Sequence, residues 1–329
     1  MATYKGIQGY SVQTLASDPT AADVEGQLWY NSTSGSYKIS VGAAGAWASA
    51  NSLNSVHGQM GCVGGPAGAL VQGGGPSSPT VTESYNGSTW TTVNAMNTGR
   101  QYSASFGTTT AAVVVAGNPS SITTTETWNG TSWTNVPGVL ASGRQKFATS
   151  NNGTTTAGLI FAGMNSPGPP WYSLALVEEW DGTSWTVKTA VTTDREAGGG
   201  VGISTASLLI TGYDQNPPTG MRPNVEEWNG SAWSEETDIN TARQAVCCSG
   251  TTTTALIGGG TPTPKALTEQ WNGTTWTEVA DLTTAREGLG KGAGASGNSC
   301  IGVGGDGTGN QAVEEWDGAP VAIKTVTVS

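Results

Sequence analysis

Short apolar runs that end in glycine punctuate the chain: "ALVQGGG" from Ala69, "AAVVVAG" from Ala111, "LIFAG" from Leu159, "LLITG" from Leu208, "ALIGGG" from Ala255 and "CIGVGG" from Cys300. Such runs are too short for helices and carry β-branched residues, so they predict buried strands. After each comes a motif such as "EEWDGTSWT" from Glu178 or "EEWNGSAWS" from Glu226. Its first aromatic is Tyr85, Trp128, Trp180, Trp228, Trp271 or Trp316, each followed directly by Asn-Gly or Asp-Gly. A second tryptophan follows at Trp90, Trp133, Trp185, Trp233 and Trp276. Asn-Gly between strand-like runs predicts a hairpin with a type I′ turn, in which both residues take positive φ. A further strand, opened by Arg100, Arg144, Arg195, Arg243 or Arg286, precedes the apolar run in five units. Four short strands recur about every 45 residues, the content of a propeller blade, and six such units predict a ring of six.

The sixth copy breaks off. At Glu314 the chain reads "EEWDGAPVA", without the second tryptophan. The spacing in Trp276, Leu282, Arg286 reappears upstream of the first unit as Trp47, Leu53, His57. Gly45 to Ala50 is therefore expected to supply the strand that the sixth unit lacks, closing the ring and removing an open sheet edge. His57, the only histidine, then stands in the arginine position of unit one. The rival for the vacant place is "VAIKTVTVS" from Val321, which also alternates apolar and polar residues; otherwise that tail is surplus and available to pair elsewhere.

Composition agrees with an all-β chain: 49 glycines and only 11% charged residues disfavour long helices. The net charge of −11 argues against nucleic acid, which needs clustered Lys and Arg. "MATYKGIQGY" at the N-terminus has no apolar core of a signal peptide, and no apolar run reaches the length of a membrane span, so neither export nor insertion is expected. The sequon Asn129-Gly130-Thr131 is then a by-product of the turn. Cys62, Cys247, Cys248 and Cys300 show no metal spacing and lie in strand-like stretches, which suits buried free thiols in a chain made in a reducing cytoplasm. No metal and no cofactor is expected.

Glu83, Glu126, Glu178, Glu226, Glu269 and Glu314 each stand two residues before the first aromatic, matching in number His57 and the five arginines. A pair present in every unit reads as a structural clamp, because a ligand site would break the symmetry. The symmetry does break in units three and four, where "MNSPGPPWYSLAL" from Met164 and "YDQNPPTGMRPN" from Tyr213 lengthen the connection between second and third strands. Trp171, Tyr172, Tyr213, Met221 and Arg222 on these proline-stiffened segments are the candidate binding residues, expected to form one rim patch. Catalysis is not expected: one histidine, held in the repeat register, leaves no triad or copper ligand set.

The glycine-ended strand, the aromatic pair and the repeated arginine resemble kelch-type β-propellers over roughly Gly45 to Trp316, departing from them where the double glycine shrinks to one, at Gly117, Gly163 and Gly212. Residues 1–44 are set apart as a docking arm, with a hairpin of Gln27 to Asn31 and Ser36 to Ser40, and residues 45–329 as the propeller. The arm segments "SVQTLASDPTAADVEG" and "EGQLWYNSTSGSYKIS" resemble those of marine tailed-bacteriophage virion proteins, especially fibres and appendages. That resemblance implies a non-enzymatic virion component, oligomeric in the particle. It would dock to other virion proteins through its arm and contact a glycan or protein of the host surface. A free-standing glycan-binding lectin is the alternative.

Overall fold

The structure, a computed structural model, describes residues 12–19, 27–42, 45–75, 79–119, 122–165, 169–263, 265–290, 294–306, 311–318 and 321–326. The signal-peptide reading of the first ten residues lies outside them. Every regular element among the described residues is a strand. The chain divides into two compact units, residues 46–317 and residues 1–45 with 318–329. Residues 318–329, set with the repeat on sequence grounds, group with residues 1–45 in this division.

Within 46–317 the strands form antiparallel sheets in sequence order. Unit one pairs Gly61–Gly65, Gly68–Gln72, Thr82–Tyr85 and Trp90–Val93. Units two to five repeat the same four-strand order, beginning at Ala104, Ala148, Gly199 and Cys247. The last sheet orders Ser299–Val303, Val313–Asp317 and then Ala46–Ala50, so a strand from before the first unit completes it. Glu314 stands opposite Ser49 and Trp316 opposite Trp47. Val321–Thr325 does not take that place; it pairs with Ser36–Gly42 in the other unit.

The aromatic motif sets the register. Tyr85 and Trp90, Trp128 and Trp133, Trp180 and Trp185, Trp228 and Trp233, and Trp271 and Trp276 are cross-strand partners, and Trp316 and Trp47 form the sixth pair. The turn between them is not the expected type I′. Four residues separate the aromatics, and only the glycine takes positive φ, as at Gly87 (91°) and Gly130 (91°). The preceding Asn or Asp instead closes the loop with its side chain: Asn86 Oδ1 accepts the Ser88 and Thr89 amides at 2.9 and 2.8 Å, and Asp181 Oδ1 accepts Thr183 and Ser184 at 2.8 Å each. Short polar side chains that accept bonds from amides two and three residues on make this turn, which explains the choice of Asn or Asp. Donors from Ser184 and Thr183 hold the Asp181 carboxyl well below the usual range.

Apolar residues do not gather in one central core. Among the described residues they form six clusters, each between consecutive sheets. Val63, Leu70, Val114 and Trp128 join units one and two, for example, and Cys62, Val71, Tyr85, Ile301 and Val313 join unit one to the last sheet. Several second tryptophans reach back one sheet: Trp133 Nε1 donates to Thr82 Oγ1 at 3.0 Å, Trp185 to Thr125 at 2.9 Å and Trp47 to Thr268 at 2.9 Å. Tyr85 Oη donates to Glu315 at 2.7 Å across the seam between unit one and the last sheet. A blade-like sheet has two apolar faces and must bury both, which stacking in sequence order achieves.

The other unit orders Gln13–Leu15, Leu28–Asn31, Ser36–Gly42 and Val321–Thr325 in one sheet. The expected hairpin is present, with Leu28 opposite Ile39 and Asn31 opposite Ser36. Asp18 Oδ1 accepts Trp29 Nε1 at 3.0 Å and Asn31 Nδ2 at 2.6 Å, so a carboxylate anchors the buried face of this short sheet.

Candidate functional site

The paired Glu and Arg residues meet within each unit. Arg100 Nη2 lies 2.7 Å from Glu126, Arg144 2.8 Å from Glu178, Arg195 2.6 Å from Glu226, Arg243 Nη1 2.5 Å from Glu269 and Arg286 2.8 Å from Glu314, all buried. His57 takes the same place, with Nε2 3.0 Å from Glu83 and Nδ1 2.5 Å from the Gly73 carbonyl. Both ring nitrogens thus lie within hydrogen-bonding distance of a carbonyl or carboxylate oxygen. The carboxylates have a second task. Glu126 accepts the amides of Asn97 (2.7 Å) and Thr98 (3.1 Å), and Glu83 those of Asn54 and Ser55 (2.9 Å each). Arg144 Nη1 donates in turn to the Ala162 and Leu176 carbonyls, tying the end of one strand to the start of the next. Burial pulls Arg144 down to about 10 against the opposing charge of Glu178.

These clamps hold six turns. Two residues beyond each basic residue the backbone takes positive φ, at Gln59 (56°), Tyr102 (53°), Lys146 (56°), Ala197 (55°), Ala245 (58°) and Gly288 (66°). Outside glycine that conformation costs roughly 1–2 kcal/mol per residue. Here it sets each amide toward its neighbour. Tyr102 N–H donates to the Gln59 carbonyl (2.7 Å), Lys146 to Tyr102 (3.0 Å), Ala197 to Lys146 (2.7 Å), Ala245 to Ala197 (2.8 Å), Gly288 to Ala245 (3.1 Å) and Gln59 to Gly288 (2.9 Å). The six bonds form a closed cycle.

On this face a cavity of about 380 Å³ opens among Gln101, Tyr102, Asn118, Gln145, Lys146, Met164, Trp171 and Gln215. Its floor comes from the clamp turns of units two and three, since Gln101 follows Arg100 and Gln145 follows Arg144. Lys146 Nζ lies 3.0 Å from Glu196 and 5.5 Å from the centre of the Tyr102 ring, so its charge is paired and its position fixed. Gln215 reaches the same Glu196 oxygen at 3.5 Å. The carboxamides of Gln101 and Gln145 and the hydroxyl of Tyr102 make no hydrogen bond among the described residues, although Gln145 is only 5% exposed.

Of the rim residues expected from sequence, Trp171 lines the cavity and is 44% exposed, and Tyr172 beside it is 46% exposed. Asn165 braces their loop. Its Oδ1 accepts the Tyr172 amide at 2.7 Å, and its Nδ2 donates to the Pro170 carbonyl at 3.1 Å. Buried Ser173 then links the two enlarged segments, donating to the Tyr213 carbonyl (3.3 Å) and accepting the Gln215 amide (2.9 Å). The unit-four segment differs from the expected loop. Ala206–Asp214 and Gly220–Trp228 are long strands that carry the hairpin outward, with Tyr213 opposite Met221 and Gly212 opposite Arg222. Tyr213 and Met221 are half-buried there. Arg222 is committed within its own hairpin, 2.7 Å from Asp214 and 2.9 Å from the Pro218 carbonyl. None of these three lines the cavity.

Sequence reading missed Gln101, Tyr102, Gln145, Lys146 and Gln215. A signal for four of them existed: the two positions after the repeated basic residue vary from unit to unit while their surroundings repeat.

At the opposite ends of the first strands a second cavity, about 410 Å³, is lined mainly by glycine turns such as Gly64, Gly107 and Gly294. Asn152, which lines it, is engaged, donating to the Gly250 carbonyl, and the neighbouring Asn151 donates to the Gly294 carbonyl and accepts the Gly202 amide. All four cysteines are buried and none forms a disulfide. Burial pushes the Cys62 thiol up, and a hydrogen bond shared between Cys247 and Cys300 lowers the first and raises the second. No group of three His, Cys, Asp or Glu that could hold a metal occurs among the described residues.

The sequence matches no protein-family profile and no curated protein. Among solved structures the chain resembles that of YjhT, with a TM-score of 0.62 and 12% identity over 85% of this chain and 97% of that one. At that identity the likeness shows the fold alone: an all-β, propeller-like arrangement of antiparallel sheets.

Proposed function

We propose that the chain is a six-bladed, kelch-like propeller closed by Ala46–Ala50, serving as a non-enzymatic recognition component on the exterior of a tailed-phage particle. The ring reading is supported by the closed cycle of six turn amides and by the pairing of Trp47 with Trp316. In this reading residues 1–45 and 318–329, a compact unit of their own, dock to other virion proteins, and the repeat presents a face to the host.

One observation carries the recognition role. Exposed Trp171 and Tyr172 are held on a braced loop beside a cavity into which the carboxamides of Gln101 and Gln145 and the Tyr102 hydroxyl bring hydrogen-bonding groups not used by other described residues. Binding energy concentrates in aromatic side chains on stiff backbone, since little entropy is lost when they are covered. Nothing in that constellation supplies a nucleophile with a base, which favours binding over turnover.

Antibodies to the chain should decorate purified phage particles and block their adsorption to host cells. A chain found apart from particles that still binds cells through Trp171 would favour the second reading, a free-standing lectin, which the carboxamide lining also suits. A chain that neither occurs in particles nor binds cells would sink both.

A further inference from the structure

The cavity beside Trp171 has a composition that selects for one chemical class. The carboxamides of Gln101 and Gln145 and the Tyr102 hydroxyl line it without a hydrogen bond to another described residue, and each can both donate and accept. Gln145 is the sharpest case: the residue is only 5% exposed, it lines the cavity, and its carboxamide makes no hydrogen bond to another described residue. What solvent contact its amide keeps is through the cavity, so a ligand there must replace the hydrogen bonds of water in kind. The group that does so must itself donate and accept. Hydroxyl does both.

Charge narrows the class. Among the described residues Lys146 is the only charged one lining the cavity, and Glu196 neutralises it at 3.0 Å. The described lining thus offers no unpaired cation to a carboxylate, sulfate or phosphate, and the net charge of −11 opposes an anionic polymer over a longer range. Shape narrows it further. Trp171 offers a flat apolar surface at the edge of a polar pocket, which suits a ligand with a C–H face and a hydroxyl rim. A volume of about 380 Å³ is at the small end of ligand cavities, roughly 300–1,000 Å³, and accommodates one or two sugar rings.

We propose that this cavity binds an uncharged carbohydrate, a neutral hexose or deoxyhexose unit of a surface polysaccharide. The ring stacks on Trp171, and its hydroxyls bond to Gln101, Gln145 and Tyr102. This rests on the recognition role proposed above and assigns it a ligand class and a site.

The test uses the full chain on an immobilised panel of neutral gluco-, galacto-, manno- and rhamno-oligosaccharides, with matched glycans carrying uronic or sialic acid. Binding should occur on neutral members only. Trp171→Ala and Gln101→Ala should each weaken it at least tenfold while leaving the thermal melt in place, since Trp171 is exposed and the half-buried Gln101 side chain takes no part in the Glu–Arg ion pairs. Binding confined to acidic glycans, or neutral binding untouched by both substitutions, overturns the assignment. Cell adsorption of the same proteins is measured in parallel. Adsorption that is lost with Trp171→Ala but accompanied by no neutral-glycan binding rejects the sugar and leaves the recognition role standing. Absence of adsorption by the unaltered chain removes the role itself.

Discussion

Trp47 and Trp316 come from opposite ends of the repeat, yet their rings lie 5.6 Å apart as cross-strand partners, in the arrangement of the pairs that are local in sequence. The local pairs are spaced similarly, from 4.8 Å for Tyr85 and Trp90 to 5.4 Å for Trp128 and Trp133. The junction is therefore built as an ordinary member of the repeat, held by side chains and a strand ladder in place of a covalent link.

Trp47→Ala should accordingly cost as much as a core truncation, about 3–5 kcal/mol. Trp47 is buried and its indole nitrogen donates to Thr268 in the neighbouring sheet. Urea titration of the full chain checks it, with Trp171→Ala as the exposed control. Equal stability of the two variants would mean that the pairing of Ala46–Ala50 with Val313–Asp317 contributes little.

The clamps make a prediction about coupling. Glu126→Ala leaves Arg100 buried without its partner and should cost roughly 3–5 kcal/mol. Adding Arg100→Ala should cost much less than the sum of the two, because the second change removes a charge already stranded. Arg144→Ala, whose partner is Glu178, should instead add to Glu126→Ala almost fully. Non-additivity between Glu126 and Arg144 would contradict the pairing described here.

Acid stability should depend on His57. Burial alone would raise the Glu83 carboxyl, but bonds from His57 and the Asn54 and Ser55 amides hold it below its ordinary value of 4.5. A carboxylate lowered in the folded state adds stability above its unfolded pKa and loses it as pH falls through the folded one. His57→Ala removes a donor and a charge, so its stability should begin to fall at a higher pH than that of the parent. Denaturant titrations between pH 6 and 3 read the difference, and parallel curves would place the acid-sensitive group elsewhere.

The cysteines should be silent in the native protein. Cys62, Cys247, Cys248 and Cys300 have no exposed surface, and the thiolate is the reactive form. Iodoacetamide should leave the native mass unchanged and add four groups in urea. Rapid native modification of Cys247, the thiol drawn down by Cys300, would show that the seam between units five and six opens readily.

How much of this was legible in the chain follows from distance. The aromatic hairpins and the Glu–Arg clamps repeat, so every copy reinforces the others, and even the displaced strand at Trp47 could be recognised by its spacing. Asn86 and Asp181 were read for the right turn but the wrong geometry, because Asn-Gly alone does not reveal that the loop has four residues. Trp171 stood out because it breaks the pattern. Gln101, Gln145 and Lys146 did not, since only the closed cycle of turns decides which way the residues after each arginine face. The pairing of Val321–Thr325 with Ser36–Gly42 joins distant segments that carry no repeat to align.

The strand Ala46–Ala50 is the first part of the repeat to be synthesised, and its partner Val313–Asp317 is the last. During translation it has no sheet to join, and its backbone stays open to solvent and to other chains until five units have formed. Contacts so far apart in sequence close slowly and leave exposed strand edges meanwhile. Nascent chains crowded on one message could therefore lend this strand to one another, so the yield of molecules in which Ala46–Ala50 pairs within its own chain should fall with rising expression rate even where the finished protein is stable.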